Sequence, residues 1–198
     1  MQITQTTFLT SAPDLESCPD TSLPEVAFIG RSNVGKSSLL NMLTNHKELA
    51  KTSSRPGHTQ LLNFFLVPPK TCHLVDLPGY GYARKSKDHR DHFAQLIADY
   101  FTHRPQLAHT FILVDSMIPP QKIDLDFILW LADLGRPHTI LFTKTDRLKK
   151  TPLAKNIATF QETLSQHYNP LPNHILTSSK KSAGKPAILA TIREACGK

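Results

Sequence analysis

No stretch of this chain approaches the roughly 18 uninterrupted apolar residues that a membrane-spanning helix requires. The polar opening MQITQTTFLT has neither the basic flank nor the long apolar run of a secretory signal. Both lacks point to a cytoplasmic protein with no membrane partner. Cysteine is scarce: Cys18, Cys72 and Cys196 stand far apart with no C-x-x-C spacing, so neither a zinc site nor a disulfide framework is suggested. Repeats and low-complexity tracts are missing as well, which sets aside solenoids and compositionally disordered chains. Acidic residues are outnumbered, 16 against 23 Lys and Arg, for a net charge of +7. That excess suggests a polyanionic partner, because clustered cations release counterions from a phosphate backbone.

What is present fits one domain, since 198 residues suit a single well-buried core. Residues 1–22 are polar and carry Pro13 and Pro19, reading as a loosely packed N-terminal segment with room for one edge strand. From residue 23 to 198, short β-like runs alternate with amphipathic stretches. The runs VAFIG, LLNFFLV, CHLVDL, HTFILVD, HTILFTK and HILTSS suggest six strands in a mostly parallel sheet with helices on both faces. One strand is antiparallel, because LLNFFLV and CHLVDL are separated only by Pro68, Pro69 and Lys70, too short a link for a helical crossover. Thr151 before Pro152 reads as a helix N-cap.

Gly30-Arg31-Ser32-Asn33-Val34-Gly35-Lys36-Ser37 matches G-x-x-x-x-G-K-[ST] between a strand and a helix, the context that a phosphate loop requires. Its glycines let successive N–H groups and the helix start, through Ser38, face phosphates. Lys36 reaches the β- and γ-phosphates, and the Ser37 hydroxyl binds Mg²⁺. The chain thereby reads as a P-loop NTPase of the α/β class. Asp76-Leu77-Pro78-Gly79 ends a strand: the aspartate suits a water-mediated contact to Mg²⁺ and the glycine N–H a contact to the γ-phosphate. Between them, Gly57-His58-Thr59-Gln60-Leu61 follows a proline, and the Thr59 hydroxyl could complete Mg²⁺ coordination in the triphosphate state only, as a switch.

Thr143-Lys144-Thr145-Asp146 closes another apolar run and resembles the N/T-K-x-D element of guanine-nucleotide proteins. An aspartate carboxylate accepts from both guanine N1–H and its 2-amino group, a donor pair that adenine lacks, while a lysine stem covers the base. Thr143 stands where asparagine is commoner, which removes an amide that could brace the loop. Thr177-Ser178-Ser179 follows the last strand and suits backbone contact with the guanine oxygen.

With these elements in order, the chain resembles the EngB/YsxC/YihA family of bacterial GTPases over about residues 24 to 196, most specifically in GRSNVGKSSLLN, RPGHTQLLNFF, VDLPGYGYA and TKTD. His58 departs from the basic residue, usually arginine, found there. The resemblance implies a GTP-binding (G) domain over residues 23–198 that takes GTP and GDP with Mg²⁺ and hydrolyses GTP. It also implies a role in assembly of the large ribosomal subunit, with a link to normal cell division and septation. Tyr80 follows Gly79, so no glutamine orients the attacking water, and turnover is expected to be slow. Asn33 matches the asparagine with which related GTPases hold K⁺, whose charge could aid Lys36 and Thr59 in catalysis; the alternative is that it merely suits the loop turn. Arg84, Lys85 and Lys87 with two nearby tyrosines suit RNA, or form a solvated basic loop. The expected partner is the large ribosomal subunit or its rRNA, approached by a monomer. A nucleotide-gated adaptor at the division site stands as the alternative, while an ATP-using kinase is disfavoured by Asp146.

Overall fold

The strand EVAFIG, Glu25–Gly30 (β2), is buried at every residue. Ala27 and Ile29 enter one hydrophobic cluster, and Val26 and Phe28 enter another. That alternation is the period-two signature of a strand covered on both faces. The computed structural model describes residues 3–46, 49–50, 61–69, 71–80 and 87–197. In it the other strands are β1 (Thr7–Ala12), β3 (Leu62–Val67), β4 (Cys72–Asp76), β5 (Leu107–Asp115), β6 (His138–Thr143) and β7 (His174–Leu176). They form one sheet in the order β1-β3-β4-β2-β5-β6-β7.

The sheet therefore has seven strands rather than the six anticipated. The addition is β1, the edge strand for which residues 1–22 left room; it pairs antiparallel with β3 from Thr7↔Leu66 to Ala12↔Leu62, with a register shift between Phe8 and Thr10. An irregularity of that kind breaks the in–out alternation by which a strand is recognised, and Phe8 is left 55% exposed. Residues of the segment anticipated as loosely packed enter the cores: Ala12 and Cys18 on one face, Ile3 on the other. β3 pairs antiparallel with both β1 and β4, whereas β4, β2, β5, β6 and β7 are parallel to one another. One strand thus runs against the rest, as the short Pro68–Pro69 link requires.

Helices cover both faces. α1 (Lys36–Thr44) and α5 (Lys185–Ala195) bury Leu39, Leu40, Leu43, Ile188 and Ile192 on one. α2 (Lys87–His103), α3 (Lys122–Asp133) and α4 (Lys150–Ser165) bury residues such as Tyr100, Leu131 and Phe160 on the other. At α4 the N-cap is Lys149 rather than Thr151. Pro152 is then the third helical residue, where its missing N–H still belongs to the group without an intrahelical partner. No helix among the described residues is long and apolar enough to cross a membrane.

At the start of β2, Glu25 is fully buried and held by charge-assisted bonds. Arg104 Nη2 donates to its Oε1 at 2.6 Å and the Tyr100 hydroxyl to its Oε2 at 2.8 Å. The same Arg104 Nη2 donates to the Pro19 carbonyl at 2.7 Å. A buried carboxylate is tolerated only when so paired, and this clasp ties the N-terminal segment to α2 at the end of β2 away from Gly30.

Candidate nucleotide site

The residues singled out in the sequence converge where parallel strands end, the usual place for ligands in open α/β sheets. β2 runs out into the phosphate loop, in which Asn33 has φ 63° and Gly35 φ 103°. The left-handed turn at Gly35 starts α1 with no side-chain cap, and no acidic residue stands in the first turn. The first amides of Lys36, Ser37 and Ser38 therefore keep the partial positive charge of an uncapped helix start. Ser32 Oγ is buried with no hydrogen-bond partner among the described residues. Lys36 Nζ forms an ion pair with Asp76 Oδ1 at the end of β4, so two opposite charges offset one another beside the loop.

After Asp76 the chain stays against the phosphate loop. Leu77 N–H donates to the Phe28 carbonyl at 3.0 Å, Leu77 and Pro78 are buried, and Tyr80 makes an isolated parallel bridge with Arg31. Gly79 has no room for a side chain: a Cβ there would lie 2.6 Å from the Gly30 carbonyl oxygen and 3.1 Å from Ser32 N. Glycine at 79 is thus required by close approach to the loop between β2 and α1.

The end of β6 is wired into the same loop. Thr143 Oγ1 donates to the Val34 carbonyl at 2.7 Å. Lys144 Nζ donates to the Asn33 carbonyl at 2.8 Å and pairs with Asp115 at 2.6 Å. Thr143 lacks the amide of an asparagine, and its hydroxyl reaches the Val34 carbonyl from the same position. Beyond it, the Ser178 hydroxyl donates to Asp146 Oδ1 at 2.6 Å, and Thr145 N–H and Oγ1 both donate to the Thr177 carbonyl, at 3.2 and 2.9 Å. The Ser178 bond, and less so the charges of Lys180 and Lys181, hold the Asp146 carboxyl below its usual range. An ionised, acceptor-only carboxylate is what an imide-like donor pair needs. A cleft of about 690 Å³ joins the two halves, lined by Gly35 and Ser38 on one side and Lys144, Asp146 and Ser179 on the other.

Gly30 to Ser38, Asp76 to Gly79, Thr143 to Asp146 and Thr177 to Ser179 are thus gathered around the strand ends. Leu61 lies exposed just before β3. Gly57, His58, Thr59 and Gln60, together with Arg84 and Lys85, lie outside the described residues. Asp115 is a site residue that the sequence motifs do not include. Its signal is available, since an acidic residue ends the apolar run HTFILVD just as Asp76 ends CHLVD. Ser116 is a second; its hydroxyl donates to the Thr143 carbonyl at 2.7 Å.

A family model described as "50S ribosome-binding GTPase" matches residues 25–144. The "Probable GTP-binding protein EngB" of Bacteroides thetaiotaomicron is 48% identical over 189 residues, covering 96% of this chain and 93% of that one. Its namesake in Flavobacterium psychrophilum is 48% identical over 195 residues, covering 98% and 95%. Among solved structures, a probable GTP-binding protein engB superposes with TM-score 0.68 at 22% identity, over 87% of this chain and 98% of that one. Era, solved with MgGDPNP and nucleotides 1506–1542 of 16S ribosomal RNA, superposes with TM-score 0.66 at 21% identity, over 87% and 56%. At those identities the two structures speak to the fold, which they share.

Proposed function

The chain belongs to the EngB family of GTP-binding proteins, and from that premise we propose that it is a slow, Mg²⁺-dependent GTPase. It acts as a switch in assembly of the large ribosomal subunit, with a link to normal cell division and septation. The observation that carries the chemistry is the bracing of a base reader to a phosphate reader. Asp146, polarised by Ser178, faces one cleft with the uncapped start of α1, and Thr143 and Lys144 tie the two through the Val34 and Asn33 carbonyls.

The residues fit a Mg²⁺–nucleotide. The orphaned Ser32 hydroxyl and the uncapped helix start are polar groups suited to an anion. Lys36 and Asp76 already neutralise one another, and they are matched in sign to phosphate and Mg²⁺ respectively. Ser37, Asp76 and, in the triphosphate state, Thr59 would hold Mg²⁺, which neutralises charge developing on the phosphates. Lys36 binds and orients the terminal phosphates, and Lys144 covers the base whose edge Asp146 reads. Slow turnover follows from position 80: the Tyr80 hydroxyl is committed to Asp124 at 2.9 Å, and no amide is available there to orient water. K⁺ beside Asn33 is part of this reading. The Asn33 backbone carbonyl already takes the Lys144 ammonium, which leaves its side-chain amide for such an ion.

The ribosomal partner is supported by the matching family's description and by charge. Arg147, Lys149, Lys150, Lys180 and Lys181 are exposed and make no ion pair among the described residues. The hydrogen bonds between Thr145 and Thr177 bring their two loops together, so these cations form a basic rim beside the base-reading end, suited to phosphate backbones.

Phosphate release from GTP by the full chain tests the enzymatic part. Turnover is expected with Mg²⁺, lost in excess EDTA, and faster in K⁺ than in Na⁺. Lys36→Ala should weaken nucleotide binding by roughly 10- to 100-fold, the loss of a charge-assisted phosphate contact. Turnover unaffected by EDTA would overturn the metal-dependent mechanism, and identical rates in Na⁺ and K⁺ would remove the role of K⁺.

A further inference from the structure

Tyr80 is the residue that follows Gly79, and its side chain is doubly held. Its ring stacks on Phe127 with centroids 4.6 Å apart and planes at 21°. Its hydroxyl donates to Asp124 Oδ1 at 2.9 Å. Both residues are deeply buried, Tyr80 being 8% and Asp124 2% exposed. Phe127 and Asp124 both belong to α3, with Asp124 in its first turn. Burial pushes the Asp124 carboxyl up to about 6, against the opposing pull of the Tyr80 hydroxyl and Arg31. Packing alone does not ask for this pair: an apolar pair of the same shape is commonly as stable as a buried polar one. Neither side chain is among the residues assigned above to phosphate, base or metal.

The backbone shows what the pair restrains. Gly79 is pressed against Gly30 and Ser32, and the Arg31–Tyr80 bridge continues the β2–β4 pairing past the strand ends. A phenol tethered to α3 restrains the residue that follows Gly79, and the same residue bridges Arg31 of the phosphate loop. We propose that Asp124 is a positioning residue for nucleotide discrimination: by holding the Tyr80 hydroxyl it keeps Gly79 against the phosphate loop, ready for a γ-phosphate, and so favours GTP over GDP. The ordering of Gly79 is then done before the triphosphate arrives, and binding it costs correspondingly less entropy. GDP, which has no group at that point, draws no benefit. The inference depends on the reading of Gly79 as the γ-phosphate contact.

Equilibrium binding of GDP and of the non-hydrolysable analogue GMPPNP to the full chain separates discrimination from general stability. Tyr80→Phe keeps the stack on Phe127 and removes only the hydroxyl. It is expected to raise the GMPPNP Kd roughly 3- to 10-fold, the worth of about one hydrogen bond, with the GDP Kd changed less than about twofold. Asp124→Leu should behave alike. Asp124→Asn keeps an acceptor for the phenol and should keep the parent's ratio of the two affinities. Thermal melting of the GDP complexes reports folding separately. Equal weakening of both nucleotides, an unchanged ratio, tighter GMPPNP binding, or an Asp124→Asn as impaired as Asp124→Leu would each overturn the latch. A parent chain that binds neither nucleotide would overturn the nucleotide reading and the latch with it.

Discussion

Asp146→Asn is expected to lower affinity for GDP and GTP by roughly 100- to 10,000-fold, the loss of one or two hydrogen bonds to a charged acceptor, and to raise affinity for xanthine nucleotides. The carboxylate offers only acceptors, matched to guanine N1–H and its 2-amino group. Xanthine keeps N1–H but presents an oxygen at C2, where an asparagine amide can donate. Ser178 favours that orientation. Its hydroxyl donates to Asp146 Oδ1 and would hold the amide oxygen of the substituted side chain on the same side, leaving the NH₂ to the base. Competition binding with GDP and XDP reads the exchange directly. Retention of full GDP affinity by the variant would mean that another group reads the base.

The largest stability effect is expected far from the cleft. Arg104→Ala leaves the Glu25 carboxylate, fully buried, with the Tyr100 hydroxyl as its remaining side-chain donor among the described residues. The expected cost is about 3–5 kcal/mol, as for one partner removed from a buried ion pair, read as a lower midpoint in chemical denaturation at unchanged slope. Replacing both residues at once, Glu25→Leu with Arg104→Leu, should cost less than Arg104→Ala alone, since no orphaned charge remains. A cost for Arg104→Ala within the range of an exposed pair, about 0–1 kcal/mol, would show that water reaches Glu25.

The parts of this fold that repeat one physical pattern are legible before any coordinates. Gly30 to Ser37, Asp76 to Gly79 and Thr143 to Asp146 are local motifs at strand ends, and parallel pairing brings strand ends together. β1 is harder to see, because the register shift at Phe8 and Thr10 breaks the alternation and half its residues stay exposed. Contacts between distant segments are not legible at all. That a threonine hydroxyl at 143 reaches the Val34 carbonyl depends on two parallel strands ending at the same height. In the sequence Lys144 is a cover for the base, while its ion pair with Asp115 depends on β5 lying beside β6. Tyr80 stands out in the sequence for what it lacks, an amide to orient water. What it has, a buried carboxylate across 44 residues of sequence, needs α3 to be packed against the sheet.

A guanine-nucleotide switch that engages the ribosome is tested most directly by sedimenting the full chain with purified large ribosomal subunits at matched salt. GDP and GMPPNP are compared. Cosedimentation is expected to be stronger with GMPPNP and to weaken as salt is raised, as counterion release requires. Failure to cosediment in either nucleotide state would contradict the ribosomal role, leaving a guanine-nucleotide site that gates some other partner.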